Sequence, residues 1–145
     1  MNYLFLDIDG VMNSVEDRFS LLLETDKHFE YLKEIVSSTN AQIILSSAWR
    51  INFHRGVSSR LITRLKQFNL AISDLTPIRK DHHRGKEIQQ WLTDHDYSSQ
   101  DNYVVLDDED FDMQDIKEHV VKINMNKGLQ QEHVQKCIDI LKGRL

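Results

Sequence analysis

The sequence predicts an α/β fold, a three-layer sandwich around a central, mainly parallel sheet. Short, near-continuous apolar runs recur along the chain, with helical apolar stripes between them, the pattern of alternating strands and helices in a parallel sheet. Three of the apolar runs stop abruptly at acidic or hydroxyl residues. In open parallel sheets, ligands bind outside the carboxyl ends of the strands, so these three ends are expected to meet along one edge.

The elements follow in order. Tyr3-Leu4-Phe5-Leu6 ends at Asp7, and a strand buried on both faces has this near-continuous apolar character. Phe29, Leu32, Ile35 and Val36 form the first helical stripe. Ile43-Ile44-Leu45 is the second run and ends at Ser46; Leu61, Leu65 and Phe68 make the next stripe. Ala71-Ile72 marks a further strand, and Pro77 and Gly85 punctuate its connection to a helix carrying Lys86, Ile88, Trp91 and Leu92. Val104-Val105-Leu106 ends at Asp107-Asp108, Val120 to Ile123 is a last strand, and Val134, Cys137, Ile138 and Leu141 lie on a closing helix after Gly128. With no repeat, low-complexity stretch or linker, residues 1–145 are expected to form one domain.

A formal charge of −5 argues against a general nucleic-acid coat, which needs a basic surface. A local basic pocket remains open, because Arg50, Arg55, Arg60, Arg64, Arg79, Lys80, Arg84 and Lys86 concentrate positive charge in mid-chain. Cys137 is the single cysteine, which rules out an intrachain disulfide or a cysteine zinc cage; on its apolar stripe it is expected in the core. The first residues have neither the basic start nor the apolar stretch of a secretion signal, and no run approaches a membrane span, so the expected location is the cytoplasm.

The polar strand ends carry the chemistry. In Asp7-Ile8-Asp9-Gly10-Val11, Asp7 is placed to attack phosphorus and Asp9 to protonate a leaving oxygen and later deprotonate water. Gly10 lets the chain turn sharply off the strand. Ser46 and Ser47 can hold phosphoryl oxygens; Arg50 suits either a bidentate phosphate contact or a solvated surface. Trp49 is expected to pack in the core rather than stack on substrate. Lys86, near a helix N-terminus that disfavours cations, is the expected functional cation, with Arg84 as helper or substitute.

Asp107, Asp108, Glu109, Asp110 and Asp112 read either as a solvated acidic loop or as oxygen ligands of the kind magnesium takes, and they lack the glycine and spacing of a calcium EF-hand loop. Two carboxylates about 4 Å apart repel by roughly 4 kcal/mol at an effective dielectric of 20, so gathering Asp7, Asp9, Asp107 and Asp108 at one edge calls for a cation. His82-His83 is expected to lie in a surface loop.

In their order, FLDIDGV, ILSS, RGKEI and VVLDD resemble the haloacid dehalogenase (HAD) superfamily of aspartate-dependent phosphohydrolases over nearly the whole chain. The resemblance implies a Rossmann-like HAD core with Asp7 as nucleophile and Mg2+ ligand, and Asp9 as acid/base whose carbonyl also reaches the metal. It further implies Ser46 on the phosphoryl group, Lys86 paired with that group and with the acidic loop, and Asp108 as the direct metal ligand with Asp107 positioning Lys86 or a metal water. The intervals 10–40 and 73–85 are too short for an inserted cap domain. Capless members resembling nucleic-acid end-repair domains imply a bulky phosphorylated substrate such as a nucleic-acid end, with neither a membrane nor an obligate protein partner indicated. A small-metabolite or nucleotide phosphatase is the alternative, followed by a non-catalytic phosphate-binding module, whose expected loss of Asp7 or Asp9 is not seen.

Overall fold

The computed structural model describes residues 1–50 and 59–144. Five strands form one sheet: β1 (Asn2–Leu6), β2 (Gln42–Leu45), β3 (Ile72–Leu75), β4 (Asn102–Asp107) and β5 (Val120–Lys122), in the order β3-β2-β1-β4-β5 with every pairing parallel. Among the described residues, four α-helices connect or follow them: α1 (Lys27–Thr39), α2 (Ser59–Gln67), α3 (Arg84–Asp94) and α4 (Gln131–Leu141). Short 3-10 segments occupy Arg18–Leu22 and Gln114–His119.

The strands bury both faces, and the alternation of side chains along them decides which layer each residue joins. Leu4, Leu6, Ile43, Leu45, Val104 and Leu106 point to one side, where they meet Leu32 of α1, Leu61 of α2 and Cys137 and Ile138 of α4. Tyr3, Phe5, Ile44, Tyr103 and Val105 point to the other and pack on Ile88, Trp91 and Leu92 of α3 and on Met113 and Ile116. Near-continuous apolar runs are therefore what this sheet requires. Cys137 is a free, buried cysteine, and burial pushes its thiol up to about 12.

The element boundaries differ slightly from expectation. The strand anticipated at Ala71-Ile72 extends to Leu75, and β5 stops at Lys122, although the Ile123 N–H still donates to the Asp107 carbonyl at 2.9 Å. Phe68 lies just past α2 and stacks on Phe29 of α1. Among the described residues nothing domain-sized is inserted: the interval from Gly10 to β2 holds a turn, one 3-10 segment and α1, and the β3–α3 connection is a short loop. No helix among the described residues is long and apolar enough to cross a membrane.

Phe5 is fully buried and makes edge-to-face contacts with Trp91 and Tyr103 at ring-centroid separations of 5.5 and 5.9 Å. Replacing it by Ala removes the ring that joins the sheet to α3, and the expected loss is about 3–5 kcal/mol by urea unfolding. A midpoint unchanged from the parent protein would show that this layer is not packed as described.

Candidate active site

The three strand ends are neighbours because β1 lies between β2 and β4. Leu6 is in register with Leu45 and Leu106, so the next residue of each strand, Asp7, Ser46 and Asp107, arrives at the same edge. The ladder continues just past the strands: Asp7 N–H donates to the Leu106 carbonyl and Ser46 N–H to the Leu6 carbonyl, both at 3.0 Å. Asp7, Asp107 and Asp108 bring one carboxylate oxygen each to within 4.8 Å of one another. Asp108 fits there because Gly10 turns away with φ of +82°; a Cβ on Gly10 would stand 2.7 Å from Asp108 Oδ2.

The cation at this group belongs to Arg84. Its Nη1 donates to Asp107 Oδ2 at 2.6 Å and lies 3.6 Å from Asp7 Oδ2. The Arg84 backbone N–H donates to Asp112 Oδ2 at 2.8 Å, and the absence of a side chain at Gly85 lets the Asp112 carbonyl approach the helix start, where a Cβ would be 2.4 Å away. Lys86, the cation expected from the sequence, is exposed and makes no ion pair or side-chain hydrogen bond with the acidic group. The reason is helical phase: residues two apart point roughly 200° from one another, so with Arg84 turned inward Lys86 faces away.

Burial first, and the charge on Asp107 second, push the Asp7 carboxyl up to about 8; Arg84 opposes the shift, and Asp108 adds to it. Burial likewise pushes Asp107 up to about 6, against the pull of Arg84 and of the Glu109 N–H. Burial lowers Arg84, but Asp107 and Asp7 more than offset this, and its net shift is upward. Among the described residues Arg84 is the cation in ion-pair contact with this group, and burial and mutual repulsion still hold the Asp7 and Asp107 carboxyls above the usual range. A group of hard carboxylate oxygens in this state fits a divalent cation.

The other expected site residues divide. Ser46 is fully buried and its Oγ has no hydrogen-bond partner. The Ser47 Oγ accepts from the Trp49 N–H at 3.2 Å. Arg50 does not reach out as a phosphate clamp: Nη1 donates to the Ser46 and Ser47 carbonyls at 2.9 and 2.8 Å, and Nη2 to Glu87 Oε1 at 2.8 Å in a buried ion pair. Glu87, which sequence reasoning missed, also accepts from the Arg79 N–H at 2.8 Å. Its signal was an acid placed on the Ile88–Trp91 face of the helix, where an unpaired charge is not tolerated.

Asp9 is exposed, outside the three-carboxylate group, and accepts from Asn13 and from the Trp49 indole. His83 caps α3, its Nδ1 accepting from the Lys86 N–H, while His82 is exposed. Asp110 lies 3.6 Å from Lys122, so only part of the acidic run faces the site. Among the described residues two of the mid-chain cations are paired elsewhere, Arg64 with Asp26 and Arg79 with Asp81; Arg55 lies outside the described residues.

A raised carboxyl pKa means that the folded protein binds protons the unfolded chain releases, and stability then falls as the pH rises through the shifted range. Metal-free protein should therefore lose stability steadily from about pH 4 to about pH 8, the range spanned by the Asp7 shift. Asp7→Asn should flatten that slope in thermal melts recorded across the range. A parent protein more stable at pH 8 than at pH 5 without metal would contradict the crowding.

Away from these residues, a cavity of about 500 Å³ opens beside Met1, Asn2, Thr39 and Asn69. No acidic, basic, histidine or cysteine side chain lines it, so it offers none of the groups gathered around Asp7. No curated protein and no solved structure matches the chain. Residues 3–134 match the model of a family described as the HAD domain in Swiss Army Knife RNA repair proteins. With that match over most of its length, an all-parallel sheet of HAD type and no cap, the chain belongs to this family of the HAD superfamily, whose members point to phosphatase-type hydrolysis.

Proposed function

We propose that the protein is a Mg2+-dependent phosphomonoester hydrolase working through an aspartyl phosphate on Asp7. The observation that carries this reading is the convergence of the Asp7, Asp107 and Asp108 carboxylates at the carboxyl edge of the sheet. Asp7, Asp107, Asp108 and the Asp9 carbonyl are the groups proposed to hold the ion. When bound, Mg2+ supplies charge neutralisation and polarises the phosphoryl oxygens.

The chain's own groups do the rest. An Asp7 carboxylate oxygen attacks phosphorus; the bond to the leaving oxygen breaks as Asp9 donates a proton to it. Water then attacks the phosphorus of phospho-Asp7, with Asp9 accepting its proton, and phosphate leaves as Asp7 is regenerated. The buried, unpartnered Ser46 Oγ is a hydroxyl donor for a phosphoryl oxygen. Arg84 takes the role expected of Lys86, balancing the nucleophile and the acidic loop.

The absence of an inserted cap leaves the edge open to a bulky substrate. Together with the RNA-repair description of the family, this favours a phosphorylated nucleic-acid end over a small metabolite or nucleotide.

Hydrolysis of p-nitrophenyl phosphate with Mg2+ should be abolished by EDTA, restored by Mg2+, and fall below about one-thousandth of the parent rate in Asp7→Asn. Turnover that persists without metal, or in Asp7→Asn, would end this mechanism. The two cations separate cleanly: Arg84→Ala should lower kcat by about 10²- to 10³-fold, while Lys86→Ala stays near the parent value. The reverse order would return the role to Lys86. Comparing oligonucleotides phosphorylated at either end with free nucleotides and sugar phosphates tests the substrate class. Efficient turnover of the small compounds alone would rule out the nucleic-acid end.

A further inference from the structure

Asp9 differs from the other carboxylates of the site. It is exposed and outside the three-carboxylate group, yet both of its oxygens are engaged. Asn13 Nδ2 donates to Oδ1 at 3.0 Å, and the Trp49 indole N–H donates to Oδ2 at 3.1 Å. The donors come from separate segments: Asn13 from the turn after β1, Trp49 from the turn after β2. A solvated carboxylate satisfies itself with water. Two protein donors that fix its rotation restrict it in a way that hydration alone does not require.

Both donors are themselves fixed. The Gly10 N–H donates to Asn13 Oδ1 at 2.8 Å, which turns the amide so that its NH2 group must face Asp9. Asn13 is buried, and Trp49 packs partly buried against the main core. Both donors are also neutral, so they orient the carboxylate without adding a charge beside the three that Arg84 already offsets in part.

We propose that Trp49 and Asn13 are positioning residues that aim Asp9 at the leaving oxygen, an inference that rests on Asp9 being the acid/base of the reaction. A positioned acid matters most when the departing oxygen cannot leave as a stable anion. The role should therefore appear as a dependence on the leaving group. Phenyl and p-nitrophenyl phosphate have similar shapes, but nitrophenolate leaves readily without a proton and phenolate does so much less readily.

The test measures kcat/KM for both esters on single preparations of the parent, Trp49→Phe, Asn13→Ala and Asp9→Asn proteins. The ratio of the two values is independent of the fraction of correctly folded enzyme. Trp49→Phe keeps an aromatic ring and removes the N–H, so packing changes little. The expected result is a phenyl-to-nitrophenyl ratio lowered about tenfold or more in Trp49→Phe and in Asn13→Ala, in the direction of a larger drop in Asp9→Asn. With an active parent, equal losses on both esters, or no loss in either variant, overturn the positioning role and leave the phosphatase reading standing. A parent inactive on every phosphomonoester overturns both.

Discussion

Negative charge gathered on one edge of a parallel sheet sets the terms for this molecule. Asp7 and Asp107 are almost wholly buried, Asp108 lies beside them, and together they are close enough to share one ion. At such separations each like-charged pair costs on the order of 4 kcal/mol at an effective dielectric of 20. Much of the surrounding structure offsets that cost. Arg84 bridges two of the acids, the Glu109 N–H donates to Asp107 at 3.0 Å, and Asp112 pins the start of α3 so that the guanidinium is delivered from the helix's first residue.

A second layer of contacts holds the floor of the site. Glu87 joins three segments: Arg50 on the turn after β2, the Arg79 backbone in the β3–α3 loop, and its own helix. Arg50 in turn holds the Ser46 and Ser47 carbonyls, which sets the direction of the chain that presents the Ser46 hydroxyl. A buried ion pair is weak evidence for stability, since desolvation opposes its attraction. Here its consequence is registration of β2 against α3, which come from different parts of the chain and carry different parts of the site.

The fold was legible because strand burial on both faces leaves an unmistakable apolar signature at residues 3–6, 43–45 and 104–106, and because the polar stops fall at the same edge. Three of the four carboxylates expected at that edge, Asp7, Asp107 and Asp108, do gather there, while the Asp9 side chain lies exposed outside the group because the chain has already turned off the strand. Side-chain direction was not legible. Arg84 and Lys86 both fit a helix start on paper, and the phase of that helix, set by the packing of Ile88 and Trp91 on the sheet, brings Arg84 to the acids and leaves Lys86 exposed. Arg50 resembled a phosphate ligand because its partner Glu87 lies 37 residues away and gives no local cue. Trp49 was expected in the core, and its ring does pack there, but its N–H reaches Asp9 across 40 residues of sequence.

The close approach of Gly10 and Asp108 couples two distant stretches of chain sterically. Any side chain at position 10 would collide with the carboxylate of residue 108, so the turn after β1 cannot gain one unless that acid shifts or is lost. In a descendant that shed the acid at 108, the crowding at 10 would vanish, while the left-handed backbone there would still favour glycine, asparagine or aspartate. The glycine is thus a mould for its opposite number, holding open the shape of an acid nearly a hundred residues downstream.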